Sequence, residues 1–98
     1  MIRNETVVFT GKLASMTRKQ AQVLVQSLGG HVQYSVSKKT TLLVIGISNL
    51  DLFEPDPRSL KLKYAEKFQD RGIQLEKITE EEFIRLAINQ LHSKISLF

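Results

Sequence analysis

Two short apolar runs constrain the fold of this chain more than any other feature of its sequence. Residues 6–10 (TVVFT) and 41–45 (TLLVI) are rich in β-branched and aromatic side chains, and each run ends at a glycine. A strand that is apolar without alternation is typical of a parallel sheet covered on both faces. Parallel strands need crossover connections, so these runs predict an α/β fold.

Two capping boxes locate the first and the last helix. Thr17-x-x-Gln20 and Thr79-x-x-Glu82 each place a hydroxyl and a side-chain carbonyl where they satisfy N–H groups at a helix start. This interpretation accounts for all three carboxylates over 80–82, and Gly29 is expected to end the first helix in the left-handed conformation. Residues at helical spacing predict the buried faces: Ala21, Leu24, Val25 and Leu28 in the first helix, and Phe83, Ile84, Ala87, Ile88 and Leu91 in the last.

The other elements carry weaker signals. Strands are predicted over 31–36 and 73–78, a second helix from an N-cap at Ser59 to about Asp70, and a frayed end from Ser93 onward. Residues 47–58 predict a long loop, whose acidic side chains could crowd a basic site. The order β-α-β-β-α-β-α predicts a four-stranded, largely parallel sheet flanked by three helices. We expect one domain over 1–98, with its core at about 5–91.

The composition argues against several functions. There is no cysteine, which excludes a disulfide scaffold and thiolate metal ligands, and no apolar run is long enough to span a bilayer. His31 and His92 have no acid at metal-ligand spacing, and no Gly-x-x-x-x-Gly-Lys loop is present. We therefore expect no metal, no cofactor and no catalysis. Residues 1–5 lack the apolar segment of a signal peptide, which predicts a cytosolic or nuclear location.

The charges are distributed asymmetrically. The net charge is only +4, yet residues 6–50 contain no acid and five cations, which are Lys12, Arg18, Lys19, Lys38 and Lys39. A basic half of this kind is typical of a protein that binds a polyanion. A solvated surface explains it equally well.

Several segments in this order resemble the BRCT domain. They are VVFTG (7–11), Arg18, Gly29-Gly30, VSKKTTLLV (36–44), Lys61-x-x-x-Ala65 and Phe83. The chain is most similar to the subgroup of NAD-dependent DNA ligases, the replication factor C large subunit and bacterial proofreading-type exonucleases. One departure is Phe83, since many members carry a tryptophan there. The resemblance implies a non-catalytic module, which can be a fragment of a larger enzyme such as a DNA ligase or a DNA polymerase III exonuclease.

The resemblance also implies a phosphate site. In phosphate-binding members, a Ser or Thr with a following Gly closes the first strand, a basic residue opens the first helix, and a Lys opens the second. By position these are Thr10, Gly11, Arg18 and Lys61. Each residue alone is explained as well by a turn or a solvated cation. Two cations that oppose two helix dipoles favour an anion between them. Second-rank candidates for further phosphate contacts are Lys12, Lys19, Lys38 and Lys39.

The function that the resemblance implies is recognition of a 5′-phosphorylated DNA end in replication or repair. Two alternatives stay open, namely a phosphopeptide-binding module and a protein–protein interaction module that needs no phosphate. The expected partners are phosphorylated DNA or protein and other domains of a longer parent chain, with no membrane. The expected location is the bacterial cytoplasm, at the nucleoid, or a eukaryotic nucleus. Tyr34 and Tyr64 could stack on bases, although partly buried packing is the more common role.

Overall fold

The computed structural model describes residues 1–47 and 58–98. Its elements, in chain order, are β1 (Thr6–Thr10), α1 (Arg18–Ser27), β2 (His31–Gln33), β3 (Leu42–Ile45), α2 (Arg58–Asp70), β4 (Glu76–Thr79) and α3 (Glu80–Ile95). The predicted order of strands and helices is confirmed. The loop predicted over 47–58 and its acids lie, apart from the two end residues, outside the described residues.

The sheet is entirely parallel, with the strand order β2-β1-β3-β4. The two interior strands, β1 and β3, are the two apolar runs of the sequence, and Val8 pairs with Leu43 in their register. An interior strand of a parallel sheet is covered on both faces, which explains why neither run alternates with polar residues. The predicted α/β architecture is confirmed.

The helices divide between the two faces of the sheet. One core cluster joins Val7 and Phe9 of β1 to residues of α1 and α3, and the other joins Val8 to Ala65 of α2. Phe83 of α3 is fully buried and meets Phe9 edge to face, with the ring centroids 5.2 Å apart. Phenylalanine therefore fills the core position at which the resemblance leads one to expect tryptophan.

Both capping boxes are confirmed. The N–H of Gln20 donates to the Thr17 hydroxyl at 3.1 Å, the reverse bond is also present, and α3 begins with the same arrangement. Gly29 has a φ of 85°, so it ends α1 in the left-handed conformation that the sequence predicts. The predicted N-cap at Ser59 is wrong, because α2 already begins at Arg58. A serine also fits the first turn of a helix, so the residue type alone did not locate the boundary.

Two strands are shorter than predicted, each because nearby residues form hydrogen bonds that do not fit a continued strand. The Gln33 side chain accepts from the hydroxyls of Ser37 and Thr40, so the chain turns after residue 33 and β2 does not reach 36. The N–H of Ile73 donates to the carbonyl of Phe68, which ties it to the end of α2. Strand β4 therefore starts at Glu76 rather than at 73.

The buried face of α3 differs from the prediction. Ile88 and Leu91 are 56% and 46% exposed, whereas Gln90 is 6% exposed and takes the inward position. Its side-chain oxygen accepts from the N–H of Ile2 at 2.9 Å, and its amide nitrogen donates to the carbonyl of Leu28 at 2.6 Å. A hydrophobic pattern cannot identify a buried glutamine. The end predicted to fray from Ser93 is helical as far as Ile95.

Gln90 should be the most stabilising polar side chain of α3. Gln90→Ala leaves the buried Ile2 N–H and Leu28 carbonyl without partners, so we expect a loss of about 2–3 kcal/mol in the free energy of unfolding, measured by urea denaturation. The control is Asn89→Ala, an exposed neighbour that should change the free energy by less than about 0.5 kcal/mol. Equal losses in the two variants would contradict this role.

Candidate functional site

The early end of β2 leaves a carbonyl of β1 without a strand partner. Along β1, the carbonyl of Glu5 accepts from His31 of β2, and the carbonyl of Thr6 accepts from Thr41 on the β3 side. Odd-numbered carbonyls of β1 thus face β2, and the last register pair is Val8 with Gln33. The carbonyl of Phe9 therefore faces the space that a longer β2 would fill. We call this space, beside Phe9 and beyond Gln33, the β2 notch.

Two cations gather at the β2 notch. The ammonium of Lys61 donates to the carbonyl of Phe9 at 2.7 Å, and the guanidinium of Arg18 donates to the carbonyl of Gly11 at 2.7 Å. Lys61 comes from α2 on one face of the sheet, and Arg18 comes from α1 on the other. The structure therefore brings together, at the end of β1, residues that are 43 positions apart in the sequence.

No described acid forms an ion pair with either cation. Between described residues the ion pairs are Lys77–Glu66 and Arg85–Glu81, and neither includes Arg18 or Lys61. The pKa of Lys61 is lowered from its ordinary value, first by partial burial and second by the charge of Arg18. A carbonyl orients a cation without neutralising it, so an anion at this place would relieve the repulsion of the pair.

Thr10 and Gly11 complete the predicted set. Gly11 has a φ of 79°, a conformation that is costly for a residue with a Cβ, and it turns the chain out of β1. Thr10 is 1% exposed, and in the described part of the chain its hydroxyl has no hydrogen-bond partner. The structure therefore does not expose the Thr10 hydroxyl to a ligand, and a phosphate contact by Thr10 stays a prediction.

Glu80 is a residue of this site that the sequence did not reveal. Its carboxylate accepts from the N–H of Ala14 at 2.6 Å and from the N–H and hydroxyl of Ser15, both at 3.1 Å. These bonds fix the segment that leads from Gly11 to Arg18. The interpretation of 80–82 as a capped helix start is confirmed for Glu82 but is incomplete for Glu80. The contact spans 66 positions, and a capping pattern contains no signal for it.

The second-rank cations lie at two different ends of the sheet. All four of them, Lys12, Lys19, Lys38 and Lys39, are exposed. The first two are neighbours in sequence of Gly11 and Arg18, and the backbone of Lys12 pairs with Ile47 on the β3 side of β1. The last two belong to the turn before Thr41, whose N–H donates to Thr6 at the opposite end of β1. Phosphate contacts by any of the four stay a prediction.

Neither a cluster of metal-ligating side chains nor a membrane-spanning helix occurs among the described residues. Over 1–47 and 58–98, no group of three or more His, Cys, Asp or Glu side chains could hold a metal ion. None of the helices in that part of the chain has the length and hydrophobicity that crossing a membrane requires.

Known proteins match nearly the whole chain. The family model described as "BRCA1 C Terminus (BRCT) domain" matches residues 3–80. A DNA ligase of Carboxydothermus hydrogenoformans is 44% identical over 84 residues, which are 86% of this chain and 10% of the ligase. DNA ligases of Syntrophus aciditrophicus and Aquifex aeolicus are 40% and 37% identical over 86 residues, or 88% of this chain and 11% and 10% of theirs. The chain thus spans about a tenth of the length of these relatives.

The repulsion between the two cations can be measured by titration. We expect the ¹³Cε resonance of Lys61 to titrate below 10.5, and Arg18→Ala to raise this midpoint without fully restoring it, because burial is the larger cause. Since the folded pKa lies below the unfolded one, the unfolded chain binds more protons between them. The free energy of unfolding therefore rises with pH across that interval.

The control for this titration is Lys19→Ala, which removes an equal charge from the residue next to Arg18. It should leave the Lys61 midpoint unchanged. Equal upward shifts in both variants would contradict a specific repulsion between Arg18 and Lys61.

Proposed function

Because the chain belongs to the BRCT family, we propose that it is a non-catalytic module of a DNA replication or repair protein and that it binds the 5′-phosphate of a DNA end. The parent protein would be larger and similar to a DNA ligase, as the relatives suggest. Any catalysis would belong to other parts of that protein. It would be located with the chromosomal DNA, in the bacterial cytoplasm at the nucleoid or in a eukaryotic nucleus.

The observation that carries this proposal is the pair of cations at the β2 notch, which form no ion pair with the described residues. Arg18 and Lys61 each donate one N–H to a backbone carbonyl, and their other N–H groups donate to no described residue. These hydrogen bonds to carbonyls hold the guanidinium and the ammonium in place before a ligand binds, which lowers the entropy cost of binding. A phosphate group has the negative charge and the acceptor oxygens to form charge-assisted hydrogen bonds with both cations.

A terminal phosphate suits this site better than an internal one. A phosphate monoester carries a charge of about −1.5 to −2 at pH 7 and three free oxygens, more than the single charge of a backbone diester. Two cations can then be neutralised by one ligand group. Gly11, which has no Cβ, lies at the same strand end, where its backbone would provide a further contact; a contact by the Thr10 hydroxyl would require exposure of that buried side chain. This favours an end over the interior of a duplex.

DNA is favoured over a phosphopeptide for two reasons. The relatives at 37–44% identity are all named DNA ligases. In addition, Lys12 and Lys19 are exposed neighbours in sequence of Gly11 and Arg18, and they would contact the phosphates that follow the terminal one.

The proposal is tested by fluorescence anisotropy with two labelled duplexes that differ only in a 5′-phosphate or a 5′-hydroxyl. We expect the chain to prefer the phosphorylated duplex and Lys61→Ala to remove this preference. The loss of affinity for the phosphorylated duplex should be about 10- to 100-fold, since a hydrogen bond to a charged group is lost. Both titrations are repeated at a higher salt concentration, where all affinities fall but the preference stays.

The matched control is Lys63→Ala. Lys63 is exposed on the same helix, so this variant removes an equal charge. It should weaken binding to both duplexes by the same small factor and keep their ratio. A wild-type chain that binds both duplexes equally would overturn the proposal. Binding of a phosphoserine peptide that depends on Lys61 would then identify a peptide reader, and partner binding indifferent to Lys61 would identify an interaction module without a phosphate role.

A further inference from the structure

We propose that Tyr34 is a base-stacking platform that takes the terminal nucleobase of the phosphorylated DNA end. This inference rests on the proposed function and adds a second subsite to it. The β2 notch would hold the phosphate, and the ring of Tyr34 would cover the base. The ligand chemistry is the π-face of a nucleobase, and no base identity is selected.

The first argument is position. Tyr34 directly follows Gln33, the last residue of β2, which is level with Val8 of β1. The next residue of β1 is Phe9, whose carbonyl holds Lys61. Neighbouring strands lie about 4.8 Å apart, so the backbone leaves β2 about one strand spacing from β1 at the edge of the β2 notch. Tyr34 is the first side chain after that edge.

The second argument is exposure. Tyr34 is 77% exposed, so the expectation that it is partly buried in packing is wrong. The ring pair in the described part of the chain is Phe9–Phe83, which does not include Tyr34. A large aromatic ring that is exposed to water lacks the stabilisation that burial of its apolar surface normally gives. Aromatic side chains are enriched at binding surfaces, where a bound partner buries the ring.

The third argument is rigidity. Gln33, the residue before Tyr34, is held by two hydroxyls, that of Thr40 at 2.8 Å and that of Ser37 at 3.1 Å. The N–H of Ser37 in turn donates to Thr40 at 2.9 Å. Hydrogen bonds thus anchor the chain both before and after Tyr34 in the sequence. A tyrosine has only two side-chain torsions, so ordering it on a fixed backbone costs little entropy.

The chemistry suits a DNA end in particular. The last base pair of a duplex has no stacking neighbour on its outer face, so a ring can cover that face without unpairing any base. Stacking of an aromatic side chain on a base is tolerant of sequence, because every base has a π-face. A platform of this kind adds affinity at ends only, and internal sites gain nothing from it.

The test is a thermodynamic cycle on the 5′-phosphorylated duplex. One change is Tyr34→Ala, and the other is an abasic terminal nucleotide that keeps its 5′-phosphate. We expect each change alone to weaken binding by about 5- to 100-fold, the range that stacking on one base gives. Together they should weaken it no further than either alone, because both remove the same contact. Tyr34→Trp should keep the wild-type affinity for the intact duplex.

The matched control is Tyr64→Ala. Tyr64 is 52% exposed and follows Lys61 by three positions on α2, so it is a second exposed tyrosine near the cations. This variant should bind like the wild type. The ¹H–¹⁵N spectra of all variants verify that they are folded.

The outcomes separate this inference from the function on which it rests. If the wild type prefers the 5′-phosphate and loses this preference in Lys61→Ala, the phosphate site stands. Additive effects of Tyr34→Ala and the abasic nucleotide, or no effect of Tyr34→Ala, would then overturn the platform alone. A Tyr34→Ala chain that loses its preference for the phosphate would also overturn it, since the ring would be acting on the phosphate. A wild type without preference overturns both.

Discussion

The candidate site depends on one backbone carbonyl that loses its strand partner. In a parallel sheet every interior carbonyl is expected to accept from a neighbouring strand, and β1 is an interior strand. Strand β2 stops at Gln33, so the carbonyl of Phe9 has no strand N–H to accept from, and the ammonium of Lys61 takes this place. A missing ladder bond is thus replaced by a bond to a cation. The hydrogen bond that satisfies the Phe9 carbonyl therefore also holds the ammonium of Lys61 at the end of β1.

The two faces of the sheet contribute one cation each. Helix α1 supplies Arg18 from one face, helix α2 supplies Lys61 from the other, and both point to the end of the strand between them. Both donate to neutral carbonyls, and neither forms an ion pair with another described residue. The pKa of Lys61 is lowered first by its partial burial and second by the charge of Arg18. Among the described acids, Glu80 lies at this end of the sheet, and its carboxylate accepts from the N–H groups of Ala14 and Ser15. It therefore fixes the approach to Arg18 without neutralising it.

The sequence predicted the parts of the fold that rest on local patterns. The apolar runs of β1 and β3, both capping boxes and the left-handed Gly29 depend on neighbours within a few positions, and all are confirmed. Features that depend on distant partners were missed. Gln90 is buried because of Ile2 and Leu28, which are 88 and 62 positions away, and its own helical pattern favoured apolar neighbours instead.

The same distinction applies to the site. The set of Thr10, Gly11, Arg18 and Lys61 came from a resemblance to a family, because nothing local connects α2 to β1. The β2 notch could not be predicted, since the end of β2 is decided by the hydroxyls of Ser37 and Thr40 competing for Gln33. The alternation of Val32, Tyr34 and Val36 with polar residues favoured a strand that continues through that point. The arrangement that brings Arg18 and Lys61 to the end of β1 therefore depends on the tertiary structure.

The most direct test of this account is a ¹H–¹⁵N titration of the chain with a duplex that carries a 5′-phosphate, compared with the same duplex without it, at two salt concentrations. The account predicts shifts concentrated at Thr10, Gly11 and the side chains of Arg18 and Lys61, with the phosphorylated duplex only, and still present at the higher salt. Weak shifts spread over the surface and indifferent to the phosphate would contradict it.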